Sequence, residues 1–464
     1  MEYFAVLAIA TTIIVVLAAA LYRKRRDAGT LVGIAALYYW SLFGAWYIVI
    51  DKTGGFSGKN YQYLEGKLFS IALDRDYLVT LGLYAGFIIL VELTLLAVVS
   101  PVAQDRTATP LVLRHGPILL IGLAAGVASF LLVADKLGTA WTLNASAYMY
   151  TRSETDEWFT LHQVLNRVAL LPPAIGLAVL AAGKRSRLLV GVRRRYTLSA
   201  YLALLAAMLV FTFILGNKNE VLATLVAGVL AYLGSVRRPN WIRAGLVVAG
   251  GLWLLYTIDL FRSVPLAGLR NAVSGRAAEA TGVARFLTSS NEAYGAHFSM
   301  YGVLAGGVEP RFGYSLYSLA CSVIPRVLWP DRPRDIYLYY SESVGAIQNQ
   351  GYSLHHATGW YLNFGYLGVA LGAVVMGLIW AYCLNARRRA GSGHVFRLFA
   401  TVAPWLFAAF LPPLIRAGPE GYKGFLIEGV LIPVGVLACA CRSNRIRAPL
   451  AWHPEHGWIW STAL

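Results

Sequence analysis

The chain has 464 residues, of which 58% are hydrophobic and 14% charged, with a formal net charge of +17. A soluble domain usually carries about a quarter charged residues, so this composition excludes an ordinary water-soluble fold. The four cysteines lack paired or metal-ligand spacing, which excludes a disulfide framework and a structural zinc site.

A bilayer-spanning helix needs about 20 apolar residues. In chain order, the stretches that read as spans are 4–22, 30–50, 77–100, 117–134, 164–182, 198–215, 220–235, 244–260, 358–384, 398–412 and 424–441. The sequence therefore predicts an all-α polytopic membrane protein with about eleven transmembrane helices. Thirteen Trp and 27 Tyr suit many membrane–water boundaries, where amphipathic rings settle.

Basic residues set the orientation. The link after the first span reads Arg23-Lys24-Arg25-Arg26. Later links on the same side carry Arg106 and Arg114, then Lys184 through Arg195, then Arg237, Arg238 and Arg243, then Arg387-Arg388-Arg389, and the tail carries Arg442, Arg445 and Arg447. Clusters on every second link mark the cytoplasmic face, so the amino terminus is expected outside and the carboxyl terminus inside. The first span has its basic cluster after the apolar stretch, the arrangement of an anchor and not of a cleaved signal peptide. Membrane topology thus accounts for most of the +17, and a nucleic-acid partner is not expected.

The outward links are unequal. Residues 51–76 and 136–163 are moderate, 216–219 is a tight turn, and 261–357 is a segment too long to be a plain connection. Three regions follow: a first bundle over 1–260, an outward loop over 261–357, and the last helices with a tail over 358–464. In the loop, Arg285, Ser289 and Glu292 share one helix face, and Tyr294, His297 and Tyr301 share another. The run 314–324 is too short to span and fits an interfacial or re-entrant helix. Pro325, Pro330 and Pro333 then break regular structure around Trp329.

The loop holds eight Arg and no Lys. The guanidinium grips phosphate bidentately and stays charged when partly desolvated, which points to an anionic head group; a general Arg bias of the chain explains the same count. Gly216-Asn217-Lys218-Asn219-Glu220 is either a solvated turn or a pair of charges at the mouth of a cavity. Arg416 and Lys423 flank Gly418-Pro419-Glu420-Gly421, as cavity wall or as head-group anchors. Glu92, Asp259 and Glu428 lie within or at the ends of spans, where acids are costly, and for Glu92 a structural pairing is the expectation. His297, His355 and His356 are the outward histidines, each a potential base or a hydrogen-bonded structural residue. No third ligand accompanies His355-His356, so no metal is expected. Asp74-Arg75-Asp76 reads as a capped helix start, and no Gly-rich nucleotide loop exists, so neither a nucleotide nor any other cofactor is expected.

Two stretches carry a resemblance. Ile324-Pro325-Arg326-Val327-Leu328-Trp329-Pro330-Asp331-Arg332-Pro333 and Gly359-Trp360-Tyr361-Leu362-Asn363-Phe364-Gly365-Tyr366-Leu367-Gly368 resemble the Ile-Pro-Arg, Trp-Pro and Asn-Phe-Gly signatures of the Wzy-type O-antigen and oligosaccharide repeat-unit polymerases. The Gly216-Asn217-Lys218 turn is similar too, with Lys where Arg is more usual, and Trp360 stands where relatives often carry an acid. The resemblance implies a helical fold of the GT-C-like class in the bacterial inner membrane. It implies a donor glycan on undecaprenyl pyrophosphate, an acceptor repeat unit on the same lipid, and a chain-length regulator as a possible partner. It further implies inverting displacement of the lipid pyrophosphate by an acceptor hydroxyl, with no nucleotide consumed. Under it, Arg262, Arg276, Arg285, Arg326 and Arg416, with Lys218 in reserve, are expected to hold the pyrophosphate. Glu292, His297 and His356 are the candidate bases, and Tyr301, Trp329, Tyr340 and Trp360 the candidates for stacking on sugars. An O-antigen ligase, or a transporter or flippase for lipid-linked oligosaccharides, are the alternatives.

Overall fold

A computed structural model describes residues 1–52, 73–101, 111–138, 157–182, 188–189, 194–235, 242, 245–246, 249–251, 292–322, 324, 328–329, 331–344, 353–389, 394–443, 450–453 and 457–460. Its helices are α1 (Glu2–Arg25), α2 (Ala28–Tyr38), α3 (Gly44–Lys52), α4 (Arg75–Val98), α5 (His115–Leu137), α6 (Glu157–Ala182), α7 (Arg194–Ile214) and α8 (Lys218–Ser235). After these come α9 (Glu292–Ala305), α10 (Tyr314–Cys321), α11 (Ile336–Ser343), α12 (His356–Arg389), α13 (His394–Ile415), α14 (Gly421–Lys423) and α15 (Ile432–Cys439). Two π-helical stretches, Tyr39–Phe43 and Gly424–Leu431, join α2 to α3 and α14 to α15.

Among the described residues, nine helices are long and apolar enough to cross a membrane. They coincide with nine of the expected spans. The stretch 220–235 is helical within α8, but α8 is not among the nine, and its first turn carries Lys218 and Glu220. The stretch 244–260 lies mostly outside the described residues.

The helix starts follow local chemistry. Asp27 accepts from the Thr30 N–H at 2.9 Å, and Asp74 from the Tyr77 N–H at 2.9 Å, so each caps the helix it precedes. At the other end of α1, the Lys24 ammonium donates to the Leu96 carbonyl at 2.5 Å, and Arg25 donates to the carbonyls of Ser100 and Leu384. Leu96 lies in the last turn of α4, where a cation satisfies an orphan carbonyl and suits the helix dipole. The strand Leu111–Leu113 at that end pairs parallel with Leu188–Leu189 and antiparallel with Cys441–Ser443, and Leu450–His453 pairs with Gly457–Trp460.

The helix α12 is not continuous. Phe364 (φ −143°, ψ 20°) and Gly365 (φ 61°, ψ −144°) interrupt it, and the second conformation favours glycine. The preceding turns fold back, so that Gly368 and Gly372 lie directly against Trp360. A side chain at Gly368 would occupy the place of the Trp360 carbonyl. The α9 helix is packed inside the bundle: Ala293, Ala296, Phe298 and Met300 are buried, as are Tyr294 and Tyr301. Its small residues allow that packing, and its polar ones find partners in the neighbouring helices.

Candidate functional site

The chain reversals bring α6, α8, α12, the 416–423 link and the Glu292–Ser343 helices to one end of the bundle. A layer of polar side chains runs across that end. One buried member is Arg167 of α6. Nε donates to Glu220 at 3.0 Å, Nη1 donates to Glu428 at 2.5 Å, and the guanidinium lies over the Phe410 ring at 5.1 Å. Glu220 belongs to the first turn of α8 and Glu428 to the π-helix 424–431, whose Gly424 carbonyl also faces Arg167 at 3.4 Å. One cation thus joins three helices, one of them π-helical.

A second cluster contains the histidines. The Nδ1–H of His297 donates to the Ser41 carbonyl at 2.6 Å, so its Nε2 accepts from the Tyr77 hydroxyl at 3.0 Å. His355 has the other tautomer. Its Nδ1 accepts from the Ala357 N–H at 3.1 Å, leaving the Nε2–H for the Ser41 hydroxyl at 2.9 Å. Burial lowers the His297 pKa to about 4, against a smaller opposing effect of the bond to Ser41. Burial also takes His355 well below the usual range, with His356 and His297 adding to the effect. Both imidazoles are therefore neutral near pH 7. His356 accepts from the Trp360 indole N–H at 3.0 Å and donates from Nδ1 to the Ala417 carbonyl at 2.9 Å. All three rings have both nitrogens in hydrogen bonds within the protein.

Further cations stand at the same end. Arg416 donates from Nε to the Ser353 hydroxyl at 3.0 Å and from Nη1 to the Asn219 side-chain carbonyl at 2.9 Å, and it lies 5.0 Å from the Trp40 ring centre. Lys218, the first residue of α8, is adjacent in sequence to that Asn219. Lys423 and Arg332 both donate to the Ser322 carbonyl, at 2.8 and 3.1 Å, at the C-terminal end of α10. Arg311 stacks on Tyr339 at 3.8 Å. The α10 helix itself is inverted relative to a soluble helix. Ser315, Ser318 and Cys321 point inward, while Leu316 and Tyr317 are exposed, as is Phe312 just before it. An apolar outer face of this kind suits a lipid interface.

The Asn-Phe-Gly stretch acts as a latch for α10. The Asn363 amide oxygen accepts from the Ser315 N–H at 2.8 Å, and its NH2 donates to the Ser315 hydroxyl at 2.7 Å and to the Gly359 carbonyl at 2.7 Å. Asn363 thereby satisfies an orphan donor in the first turn of a helix that has no side-chain cap of its own.

Of the residues expected to hold pyrophosphate, Arg416 and Lys218 lie at this end of the bundle, whereas Arg262, Arg276, Arg285 and Arg326 fall outside the described residues. Glu292 starts α9, and its side chain is likewise outside the description. His297 and His356 are buried with their nitrogens engaged. Tyr301 donates to Asp74 at 3.0 Å from a buried position. Tyr340 and Trp360 are also buried, with Trp360 covering Gly372, and Trp329 is half-buried. Among the described residues no group of three or more His, Cys, Asp or Glu could hold a metal ion. Sequence reasoning missed Arg167, Ser41 and the latch role of Asn363. For Arg167 a signal existed, since it is a lone cation inside an apolar span. For Ser41 there was none. Comparison of the chain with protein-family models, with curated proteins and with solved structures gives no match.

Proposed function

We propose that this chain is a membrane glycosyltransferase of the inner membrane that polymerises oligosaccharide repeat units carried on a polyprenyl pyrophosphate. The polar end of the bundle faces outward in this reading, and the ends bearing Arg23–Arg26 and Arg387–Arg389 face the cytoplasm, as the distribution of basic residues requires. The observation that carries it is Arg416, whose planar fork is oriented by Ser353 and Asn219 and backed by the Trp40 ring. Lys423, Arg332 and Arg311 stand at the same end, beside the exposed apolar face of α10. Cations next to a lipid-facing surface suit a ligand that is part phosphate and part lipid.

The chemistry is electrostatic. Charge develops on the pyrophosphate oxygen as its bond to the anomeric carbon breaks, and preoriented cations stabilise that charge without reorganising. Leaving-group expulsion supplies the driving force, so no nucleotide is consumed. A second reading, a transporter of the same lipid-linked glycan, draws support from the broken helix at Phe364–Gly365, because discontinuous helices line many transport sites.

The deciding assay uses purified protein in liposomes with lipid-linked repeat units. A ladder of longer glycans without added nucleotide supports the polymerase. Movement of substrate across the bilayer with no ladder supports the transporter, and transfer that requires a lipid A core acceptor supports the ligase. Arg416→Ala is expected to lower elongation ~10²–10³-fold, the scale for losing one preorganised donor. An Arg416→Ala ladder equal to that of the unaltered protein rejects the site.

A further inference from the structure

We propose that Glu420 accepts the proton of the attacking sugar hydroxyl, with Ser315 and Asn363 as its positioning residues; the proposal rests on the glycosyltransferase reading above. Glu420 lies in the link between α13 and α14, four residues after Arg416 and three before Lys423. Its Oε1 accepts from the Ile336 N–H at 3.0 Å, at the start of α11. The Ser315 side chain lies close enough to the carboxylate to lower its proton affinity. The orientation of the Ser315 hydroxyl follows from Asn363. Its NH2 donates to the Ser315 oxygen at 2.7 Å, which leaves the Ser315 hydroxyl hydrogen for Glu420. Asn363 cannot flip, because its oxygen takes the Ser315 N–H and its nitrogen also serves the Gly359 carbonyl. A run of three residues from three segments, Asn363, Ser315 and Glu420, thus aims one carboxylate. Gly418 leaves the room it needs, since a Cβ there would lie 2.8 Å from Oε2.

An ionised carboxylate offers about four lone-pair sites, so two donors leave capacity for the sugar hydroxyl. Burial raises the proton affinity of Glu420 against the pull of those donors, and Asp335 raises it further. The side chain remains partly accessible, as a proton acceptor must be. Several other described groups at this end are engaged or solvated; Asp74 accepts from the Tyr77 N–H and the Tyr301 hydroxyl. Glu220 and Glu428 are bound to Arg167, and His297, His355 and His356 have both nitrogens bonded. Glu309, Asp331, Asp335 and Glu342 are exposed to water.

In the step, the O–H bond of the acceptor sugar breaks and its proton passes to Glu420. The oxygen forms the new bond to the anomeric carbon of the donor. The bond from that carbon to the pyrophosphate oxygen breaks, and its electron pair leaves with the lipid pyrophosphate.

The test compares Glu420→Gln and Glu420→Ala with the unaltered protein in the same liposome assay. Glutamine keeps an oxygen for the Ile336 N–H but takes no proton. Glu420→Gln is expected to lose elongation ~10²–10⁴-fold, the usual worth of a general base, with an unchanged KM for lipid-linked substrate and an unchanged melting temperature. Glu420→Asp is expected to recover part of the rate. The rate of the unaltered protein should rise with pH over a limb that Glu420→Gln lacks. Elongation by Glu420→Gln at the unaltered rate overturns the role of Glu420 and leaves the glycosyltransferase reading standing. Failure of the unaltered protein to elongate removes both.

Discussion

Replacing Arg167 by Met tests the buried charge centre most directly. The three side chains involved are at most 10% exposed, so solvent does little to replace a lost partner. The substitution deletes two charge-assisted bonds, at 3.0 and 2.5 Å, and leaves Glu220 and Glu428 facing each other inside the bundle. Each bond to a charged group contributes about 1.5–3 kcal/mol, which gives a loss of about 3–6 kcal/mol. Breaking one partner of other buried ion pairs costs about 3–5 kcal/mol, in the same range. A loss of about 4 kcal/mol shifts the folded-to-unfolded ratio by roughly a thousandfold. The readout is the thermal midpoint of detergent-solubilised protein, followed by its monodisperse fraction on gel filtration. The triple variant Arg167→Met, Glu220→Gln, Glu428→Gln removes the orphaned charges and is expected to recover most of the loss. An Arg167→Met midpoint equal to that of the parent, or a triple variant worse than the single, refutes the account of this centre.

Three further outcomes follow from other places in the fold. Gly365→Ala puts a Cβ on a backbone at φ 61° and ψ −144°, and is expected to cost about 1–3 kcal/mol, read as a lowered thermal midpoint. Gly368→Ala should also destabilise, because the Trp360 backbone fills that space, whereas Gly82→Ala, with nothing within 4 Å, should be neutral or stabilise by up to about 1 kcal/mol. Acid should unfold the protein through its buried histidines. The folded His297 pKa is depressed to about 4 from 6.5, so the unfolded chain binds more protons between those values. Its contribution is complete above about pH 6.5 and falls away towards pH 4, by about 3 kcal/mol in all, and His297→Gln should flatten the stability–pH curve over that window. A slope unchanged by His297→Gln would show that other groups carry the acid response.

How much was readable in the chain depends on the reach of each signal. The nine spans that coincide with described helices were legible because apolar run length is a local property. The capped start at Asp74 was legible from short-range chemistry of the same kind. The 314–324 run was recognisable as too short to span, and α10 indeed stops at Cys321 with an apolar outer face. The burial of α9 was not legible. Tyr294, His297 and Tyr301 looked like one face of a loop helix, yet their neighbours Ala293, Ala296 and Met300 are buried as well. Tyr301, Tyr340 and Trp360 read as sugar-stacking rings or as membrane-interface anchors, and the fold buries all three.

Composition, apolar run length and basic clusters by themselves determined that this is a helical chain of membrane character and which segments hold chemistry-bearing residues. The tertiary structure alone decided the partners. Arg167 meets Glu220 and Glu428 across 53 and 261 residues of chain, and Asn363 reaches back 48 residues to Ser315. Such choices depend on how helices cross and where a backbone reverses, as at Gly365. Residue type records that a charge needs a partner, but only packing says which one is within reach.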